Sequence, residues 1–271
     1  MVEDDPTFRQ VVESILGQAG YETISVEDGA QALELIVRES FDLVLLDIWL
    51  PKMNGLELLD RLDARGLRPK VVILTGDNTS DTVLETVKAD AYHYLVKPIE
   101  GKVLIDVVRD ALVAPSPGPI EVISAKSNWV ELLVPCQINA PSRVRSFLQH
   151  LESDLPDDTR ESVGQAFQEL LMNAIEWGGE LDPGLKVRIS FLRTARMLMY
   201  RILDPGIGFR PDELGHAAVG NPEGEPFKHM TEREEKGIRP GGFGLVMARS
   251  LVDELIYNEA HNEVVFVKYL D

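Results

Sequence analysis

The stretch Leu43-Val44-Leu45-Leu46-Asp47 is a run of four aliphatic residues that ends in an acid. Similar short runs rich in Val, Ile and Leu recur along the first part of the chain, and segments of helical periodicity separate them. Buried parallel strands that alternate with helices produce this pattern. The sequence therefore predicts a doubly wound α/β domain over residues 1–112, with strands at 22–26, 41–46, 70–74 and 92–96.

The first strand of this domain is very short in the sequence. Glu3 and Asp4 should follow it, yet only Met1 and Val2 precede them. In a doubly wound sheet the first strand is central, and two residues are too few to fill it. We therefore expect either a stunted strand in a loosened domain or a strand that begins upstream of Met1.

Polar residues stand at the ends of the predicted strands. Glu3, Asp4 and Asp47 are acids, Thr75 offers a hydroxyl group, and Lys97 an ammonium group. A carboxylate can attack phosphorus only when the charge of its neighbours is neutralised, and Mg²⁺ held by one or two carboxylates does this. This set predicts Asp47 as a phosphoryl acceptor, Asp4 and Asp47 as metal ligands, and Glu3 as a ligand through water. Lys97 and Thr75 would then contact the phosphoryl oxygens.

Each of these residues taken alone fits an ordinary polar residue at a strand boundary. Their occurrence together at strand–helix spacing favours the phosphoryl site. Four segments carry a resemblance that covers residues 1–112: Val2-Glu3-Asp4-Asp5, Leu46-Asp47-Ile48-Trp49-Leu50-Pro51 with Gly55, Leu74-Thr75-Gly76, and Tyr94 with Lys97-Pro98. The region resembles the receiver domain of two-component response regulators.

That resemblance implies a flavodoxin-like fold in which Asp47 is the phosphoacceptor and Glu3 and Asp4 hold the metal ion. It also implies that the carbonyl of Trp49 is a further metal ligand. Thr75 and Tyr94 would be the switch pair, with the ring moving inward when Thr75 turns toward the phosphoryl group. A cis peptide between Lys97 and Pro98 is implied as well, and the phosphoryl donor would be an upstream histidine kinase or phosphotransfer protein.

A proline-rich segment follows the first domain. The stretch Ala114-Pro115-Ser116-Pro117-Gly118-Pro119 has three prolines in six residues, each of which fixes φ and removes a backbone donor. It predicts a short, semi-rigid linker over residues 113–124. The remainder, residues 125–271, mixes strand and helix patterns and forms the second predicted domain.

The second domain contains an acid and an amide on one predicted helix, which has an apolar stripe through Phe167 and which Gly178-Gly179 should end. Glu169 and Asn173 are four residues apart, so they share a face of that helix. The amide oxygen of Asn173 could bind a magnesium ion on ATP phosphates, and Glu169 could accept a proton from an attacking hydroxyl group. An isolated pair of this kind is more often the polar face of an amphipathic helix, so the neighbouring motifs have to decide.

Two glycine clusters supply that context. Asp204 follows an apolar strand, where an acid can accept a hydrogen bond from an adenine amino group, and Gly206 and Gly208 allow close backbone approach. Gly242 and Gly244 open a helix whose free amides can meet phosphates. The pattern is neither the dinucleotide fingerprint nor a P-loop.

The three motifs in this order resemble the GHKL-type ATP-binding domain shared by histidine kinases, DNA gyrase, a heat-shock chaperone family and mismatch-repair ATPases. Within that group the anti-sigma-factor serine kinases are the most similar. The resemblance covers about residues 125–271 and implies an α+β sandwich. Its implied roles are the general base for Glu169, the magnesium ligand for Asn173, the adenine contact for Asp204, and the pocket backbone for Gly206, Gly208, Gly242 and Gly244.

Other positions in this domain leave alternatives open. A loop of about 30 residues between the glycine clusters would be a lid, in which Lys228, Arg233, Lys236 and Arg239 either reach the γ-phosphate or form a solvated charge run. Trp177 stands where many relatives have His, so the lower phosphate contacts are expected to differ.

Composition excludes several classes of protein. The chain has 45 acidic and 27 basic residues and a net charge of −18, which argues against direct binding of nucleic acid. The single Cys136 cannot form an internal disulfide, and with no signal pattern at the amino end the expected location is the cytoplasm. Apolar runs stay below the ~18 residues needed to cross a bilayer, so no membrane span is expected.

Taken together, the two resemblances imply a response regulator in which phosphorylation of Asp47 controls an ATP-dependent protein serine/threonine kinase. The resemblance implies an anti-sigma-antagonist or sigma factor as partner and a homodimer as the assembly. One alternative is a non-catalytic ATP-binding module that sequesters a sigma factor or antagonist. Another is a histidine-kinase relative, which would carry phosphate on His150.

Overall fold

The computed structural model describes residues 1–76, 82, 85–87, 89, 91–113, 118–126, 128–152, 154–209 and 243–270, without the side chain of His150. The chain divides into two compact units, Met1–Pro117 and Gly118–Asp271. The division falls inside the predicted linker. Regular structure nevertheless begins at Glu121, within the residues that the proline content assigned to that linker.

The first unit is built on a parallel sheet. Its named strands are β1 (Val44–Leu46), β2 (Val71–Thr75) and β3 (His93–Val96), which pair in that order. Every residue of β1 and β2 is buried, as expected of a parallel sheet covered on both faces. The prediction of a doubly wound fold is confirmed.

The central first strand is present as a single paired residue. Val2 forms parallel bridges with both Val26 and Leu46, and only 3% of its surface is exposed. Its N–H donates to the Leu45 carbonyl at 2.8 Å, and its carbonyl accepts from the N–H of Asp47 at 3.0 Å. Two-sided pairing therefore places Glu3 at the sheet edge without a full strand. The predicted strand at 22–26 is likewise reduced to the bridge at Val26.

Four helices with defined ends accompany this sheet, and side chains cap three of them; the described residues 82 and 85–87 are helical too. They are α1 (Pro6–Gln18), α2 (Gly29–Arg38), α3 (Gly55–Asp63) and α4 (Gly101–Val113). The side chains of Asp5, Asp28 and Asn54 accept backbone N–H groups at the first turns of α1, α2 and α3. These caps set where each of the three helices begins.

The second unit is a six-stranded antiparallel sheet. Its spatial order is β4-β5-β6-β7-β9-β8. The strands are β4 (Glu121–Lys126), β5 (Trp129–Pro135), β6 (Lys186–Arg193), β7 (Met197–Leu203), β8 (Glu254–Tyr257) and β9 (Glu263–Tyr269). The helices are α5 (Ala140–Leu151), α6 (Asp157–Asn173) and α7 (Gly244–Leu251). Sheet and helices form the α+β architecture that the sequence predicts.

An aromatic cluster lies at the centre of this unit. The ring of Tyr200 lies 5.1 Å from that of Phe167, 5.0 Å from that of Phe191 and 4.9 Å from that of Phe266, measured between centroids. All four residues are at most 2% exposed. Because α6 supplies Phe167 and the sheet supplies the other three rings, the cluster fixes α6 against β7.

Helix α6 ends differently from the prediction. The sequence indicated that Gly178-Gly179 stops a continuous helix, whereas the α-helix ends at Asn173 and a π-helical turn, Ala174–Gly178, follows it. π-turns are often found at functional sites because they redirect the chain. Strand β4 was not predicted because the proline content assigned its first residues to the linker, and β8 was not predicted because it has only four residues. Among the described residues, no helix has the length and apolar character required to span a membrane.

Candidate functional site

Three carboxylates meet at the carboxyl edge of the parallel sheet. One oxygen from each of Glu3, Asp4 and Asp47 lies within 4.8 Å of the other two. Glu3 is fully buried, Asp47 is 6% exposed, and Asp4 is exposed to solvent. Oxygen donors in such a set, with one side open to water, fit a Mg²⁺ ion that retains several water ligands.

The ammonium group of Lys97 joins two of these acids. Its Nζ donates to Oε1 and Oε2 of Glu3 at 2.9 and 2.7 Å and to Oδ2 of Asp47 at 2.5 Å. Burial raises the pKa of Glu3 even though Lys97 opposes the shift. Burial by itself would lower the pKa of Lys97, but the bonds to Asp47 and Glu3 outweigh it and the pKa is raised. Lys97 is therefore a fixed positive charge beside Asp47.

The other predicted receiver residues surround this group. The N–H of Trp49 donates to Oδ1 of Asp47 at 3.0 Å, and Thr75 is fully buried at the end of β2. The N–H of Lys97 donates to the Thr75 carbonyl at 2.8 Å, and the Lys97–Pro98 peptide is cis. The Tyr94 ring is 1% exposed, so it lies inside the domain in this structure. Metal binding by the Trp49 carbonyl and switching by Thr75 and Tyr94 stay predictions.

Two residues of α1 contribute to this site, and the sequence analysis missed both. Arg9 donates from Nη1 to the Glu3 carbonyl at 2.7 Å and from Nη2 to Glu27 at 2.9 Å. The Nζ of Lys97 lies 4.4 Å from the centroid of the Phe8 ring. The cap at Asp5 gives the start of α1 and hence the turn that carries both residues. Nothing in the sequence indicates their contacts.

The second candidate site lies where α6 ends and α7 begins. An added Cβ on Gly244 would lie 2.4 Å from Oε2 of Glu169. Only a glycine permits this approach, so the carboxylate of Glu169 lies against the first residue of α7. Asn173 is the last residue of α6. Gly242 lies outside the described residues, as do the lid segment and its four basic residues.

Asp204 lies at the end of β7 among glycines. Its Oδ1 accepts the Gly206 N–H at 2.8 Å, and its backbone N–H donates to the Asn262 carbonyl at 2.9 Å. An added Cβ on Gly178 would lie 2.3 Å from Cγ of Asp204. Burial raises the pKa of Asp204 to about 6, and the Gly206 N–H partly opposes this. Gly178 is required by this close contact, a role the sequence analysis missed.

A buried thiol supports the same region. Cys136 is fully buried, and an added Cβ on Gly179 would lie 2.1 Å from its Sγ. Burial, with the nearby charges of Asp182 and Asp204, raises the pKa of the thiol to about 11. The thiol is therefore neutral and serves as a packing group. The π-turn before Gly179 thus connects Asn173 at one end with the surroundings of Asp204 at the other. Trp177, within that turn, is 42% exposed.

Comparison with protein families agrees with this division. The model of the response regulator receiver domain matches residues 1–109, and that of the histidine kinase-like ATPase domain matches residues 135–268. The DNA-binding response regulator MtrA of Mycolicibacterium smegmatis is 32% identical over 178 residues, which cover 66% of this chain and 77% of MtrA. The chain is a response regulator. Its receiver domain precedes a histidine kinase-like ATPase domain, as the sequence predicted.

Other relatives match the receiver part of this response regulator. Sporulation initiation phosphotransferase F of Bacillus subtilis is 32% identical over 112 residues, 41% of this chain and 87% of that protein. PilR of Pseudomonas aeruginosa is 35% identical over 112 residues, 41% of this chain. The chain therefore spans only about a quarter of the length of these relatives: 25% of PilR, and 26% of FleR from the same organism. The crystallised receiver domain of NtrX from Brucella abortus is 33% identical, with 42% of this chain and 97% of that chain covered and a TM-score of 0.40.

The two matched domain families indicate the kind of chemistry to expect at each candidate site. Receiver domains take phosphoryl groups from histidine kinases or phosphotransfer proteins, and the family match supports a signalling role of this kind. The ATPase domain implies that ATP is bound. The individual ligand and catalytic roles are the subject of the proposals below.

Proposed function

We propose that Asp47 accepts a phosphoryl group from an upstream histidine kinase or phosphotransfer protein. The supporting observation is the bond from Lys97 to Oδ2 of Asp47, within a set of three carboxylates. A carboxylate oxygen of Asp47 forms the new bond to phosphorus while the bond to the donor's histidine nitrogen breaks. The imidazole keeps the electron pair and is then protonated.

Each neighbouring residue has a defined part in this step. Lys97 holds a positive charge beside the reacting oxygen, which offsets the negative charge of the incoming phosphoryl group. The hydroxyl group of Thr75 donates to a phosphoryl oxygen. Glu3 and Asp4 would hold Mg²⁺ with Asp47 and the Trp49 carbonyl, and the ion would neutralise the charge that accumulates there.

The output that we propose is an ATP-dependent protein serine/threonine kinase. Asp204 accepts a hydrogen bond from the adenine amino group, and Gly206, Gly208, Gly242 and Gly244 form the backbone of the pocket. Glu169 takes the proton of the attacking hydroxyl group. The hydroxyl oxygen then bonds to the γ-phosphorus as ADP leaves. Asn173 would hold the Mg²⁺ that accompanies ATP and offsets the charge of its phosphates. The closeness of Glu169 to Gly244 supports this arrangement, because a phosphate at the start of α7 would lie near that carboxylate.

The proposed substrate is an anti-sigma-antagonist protein, and a sigma factor is the other proposed partner. Both follow from the resemblance of the second domain to anti-sigma-factor serine kinases, as does a homodimer. Phosphorylation of Asp47 would act through Thr75 and Tyr94 on the output domain. Sedimentation equilibrium of the full chain tests the assembly, and a monomer at all concentrations would contradict it.

Transfer of labelled phosphate tests the output. The full chain is incubated with γ-labelled Mg-ATP and candidate antagonist proteins, with and without beryllium trifluoride as a mimic of the phosphoryl group on Asp47. We expect an acid-stable phosphoserine or phosphothreonine on the antagonist at a rate that beryllium trifluoride changes. The Asp47→Asn variant should still transfer phosphate, but beryllium trifluoride should no longer change its rate.

Matched variants on α6 separate the alternatives. Glu169→Gln should abolish transfer, whereas Glu161→Gln, an exposed position on the same helix, should leave it unchanged. Antagonist capture without any transfer, equal in the wild type and Glu169→Gln, would support the non-catalytic module instead. Acid-labile phosphate on His150 would support a histidine-kinase relative. No nucleotide binding at all would end the proposal.

A further inference from the structure

The turn between β8 and β9 contacts the loop that follows Asp204. The Asn262 carbonyl accepts the Asp204 N–H at 2.9 Å, and the Asn262 Nδ2 donates to the Gly206 carbonyl at 3.1 Å. The Ala260 carbonyl accepts the Phe209 N–H at 3.2 Å. Three hydrogen bonds therefore hold the loop to a segment more than 50 residues away in sequence. We call this turn, Asn258 to Asn262, the hairpin clasp.

Hydrogen bonds within the hairpin clasp orient the side chain of Asn262. Asn258 donates from Nδ2 to Oδ1 of Asn262 at 2.7 Å, and its own Oδ1 accepts the Asn262 N–H at 3.1 Å. Because Oδ1 of Asn262 is engaged as an acceptor, the Nδ2 group is directed to Gly206. Gly206 in turn donates its N–H to Oδ1 of Asp204. A continuous series of hydrogen bonds thus runs from Asn258 to the Asp204 carboxylate.

Gly208 allows the hairpin clasp to approach this closely. Its φ is +87°, and an added Cβ would lie 1.7 Å from the carbonyl oxygen of Ala260. No side chain fits there. The second glycine of the Asp204 loop is therefore required by contact with the hairpin clasp.

Three rings close the outer end of this contact. The Phe209 centroid lies 5.7 Å from that of Tyr257 and 5.1 Å from that of His261, and the last two rings are stacked at 5.6 Å. Burial and the charge of Asp204 both raise the pKa of Tyr257, which places its hydroxyl group in the same electrostatic environment as the carboxylate.

We propose that the hairpin clasp positions the Asp204 carboxylate for adenine, with Asn262 as the positioning residue, and so determines the preference for adenine over guanine. This inference rests on the proposed ATP site. A carboxylate held in one orientation accepts the amino group of adenine but repels the carbonyl oxygen that guanine has at the same position. A loop that can rotate loses this discrimination, because it can turn the carboxylate away.

Nucleotide binding to the full chain tests the role of Asn262. Isothermal titration with Mg-ATP, Mg-GTP and magnesium tripolyphosphate is compared for the wild type, Asn262→Ala, and Asn128→Ala, an exposed residue in the β4–β5 turn. We expect Asn262→Ala to weaken Mg-ATP binding by about tenfold and to lower the ATP-to-GTP preference by a similar factor, consistent with loss of a partly buried hydrogen bond. Tripolyphosphate binding should not change, since it has no base. Asn128→Ala should match the wild type.

The outcomes separate the two proposals. Wild-type protein that binds ATP and prefers it over GTP, with the same preference in Asn262→Ala, would overturn the hairpin clasp and leave the ATP site standing. Wild-type protein that binds no ATP would overturn both. If Asn262→Ala weakens the binding of tripolyphosphate as much as that of ATP, Asn262 has a structural role only, and the inference is overturned. Should Asn262→Ala fail to fold, Asn262→Asp, which keeps the shape but replaces the donor to Gly206, decides by the same measurements.

Discussion

A buried carboxyl group in the ATPase domain shows how a single residue can set a pH response. Glu152 is 2% exposed and accepts a hydrogen bond from the Tyr200 hydroxyl group. Burial raises its pKa to about 7, although Tyr200 and the charges of Arg193, Arg145 and Arg160 oppose the shift. The same burial raises the pKa of Tyr200. The pair therefore joins α5 to the aromatic cluster most favourably when Glu152 is protonated.

Replacing Glu152 by Gln should remove this pH response. The pKa is about 7 in the folded protein against 4.5 as the ordinary value, so the folded state keeps a proton that the unfolded state releases. Stability is then greatest below 4.5 and falls as pH rises toward 7. The free energy of unfolding of Glu152→Gln, relative to that of the wild type, should therefore rise by on the order of 3 kcal/mol between about pH 4 and pH 8. Urea unfolding at both values measures it, and parallel pH curves for the two proteins would contradict it.

Asp204 should make ATP affinity depend on pH in the opposite sense. Burial raises its pKa to about 6. In the proposed site the carboxylate accepts the adenine amino group more strongly than the protonated acid does, because the charged acceptor forms the stronger hydrogen bond. Below pH 6 the affinity for Mg-ATP should fall by up to about tenfold per pH unit. Asp204→Asn keeps an acceptor oxygen but does not titrate, so it controls for the titration of the nucleotide itself. Equal slopes in the wild type and in Asp204→Asn would refute this role.

At the level of elements, the first turn of α1 supports the proposed metal site. Arg9 binds the Glu3 carbonyl and Glu27 through two nitrogens, whereas a lysine has a single one. Arg9→Lys keeps the charge and should weaken Mg²⁺ binding by about tenfold, because the ligand-bearing segment is then held less firmly. The control is Arg38→Lys, which is 74% exposed. Mg²⁺ titration calorimetry makes the measurement, and unchanged affinity in Arg9→Lys would assign Arg9 a structural role only.

Two glycines with the same backbone conformation allow the cost of a positive φ to be measured apart from the cost of a clash with another segment. Gly20 and Gly208 have φ of +86° and +87°, but only Gly208 has another segment, at Ala260, where a Cβ would lie. Gly20→Ala should cost only about 1–2 kcal/mol for the left-handed conformation. Gly208→Ala should cost clearly more and abolish ATP binding, since the loop must move away from the turn between β8 and β9. Denaturant unfolding and ATP titration check both, and equal costs would contradict the contact.

For the whole molecule, charge is the property that dominates. A net charge of −18 over 271 residues creates self-repulsion in the folded state. Salt screens repulsion between exposed charges, so raising the ionic strength from about 0.01 M to about 0.15 M should increase the thermal unfolding midpoint. Differential scanning calorimetry in sodium chloride measures the shift. A lower midpoint at the higher salt concentration would mean that surface ion pairs contribute more than the repulsion.

Much of the fold was predictable because its signals are local. The runs that end at Asp47 and Thr75 gave two strands to within a few residues, and the periodicity around Phe167 gave α6. Short elements were missed or misjudged. Strand β8 has only four residues, too few for a clear alternation of apolar and polar side chains. The pairing of Val2 depends on the segments on both of its sides, at Val26 and Leu46. The π-turn was missed because its sequence, on its own, continues a helix.

The sequence by itself determined the order of the two domains, the parallel sheet of the first and the α+β architecture of the second, and it predicted which acids, amides and glycines belong to each candidate site. These follow from periodicity and from side-chain chemistry at strand ends and helix starts, which act over a few residues. Only the tertiary structure decided that Lys97 binds Glu3, 94 residues away, and that Asn262 holds Gly206, 56 residues away. Such contacts depend on how packed elements bring distant groups to hydrogen-bonding distance, and no local pattern encodes that distance.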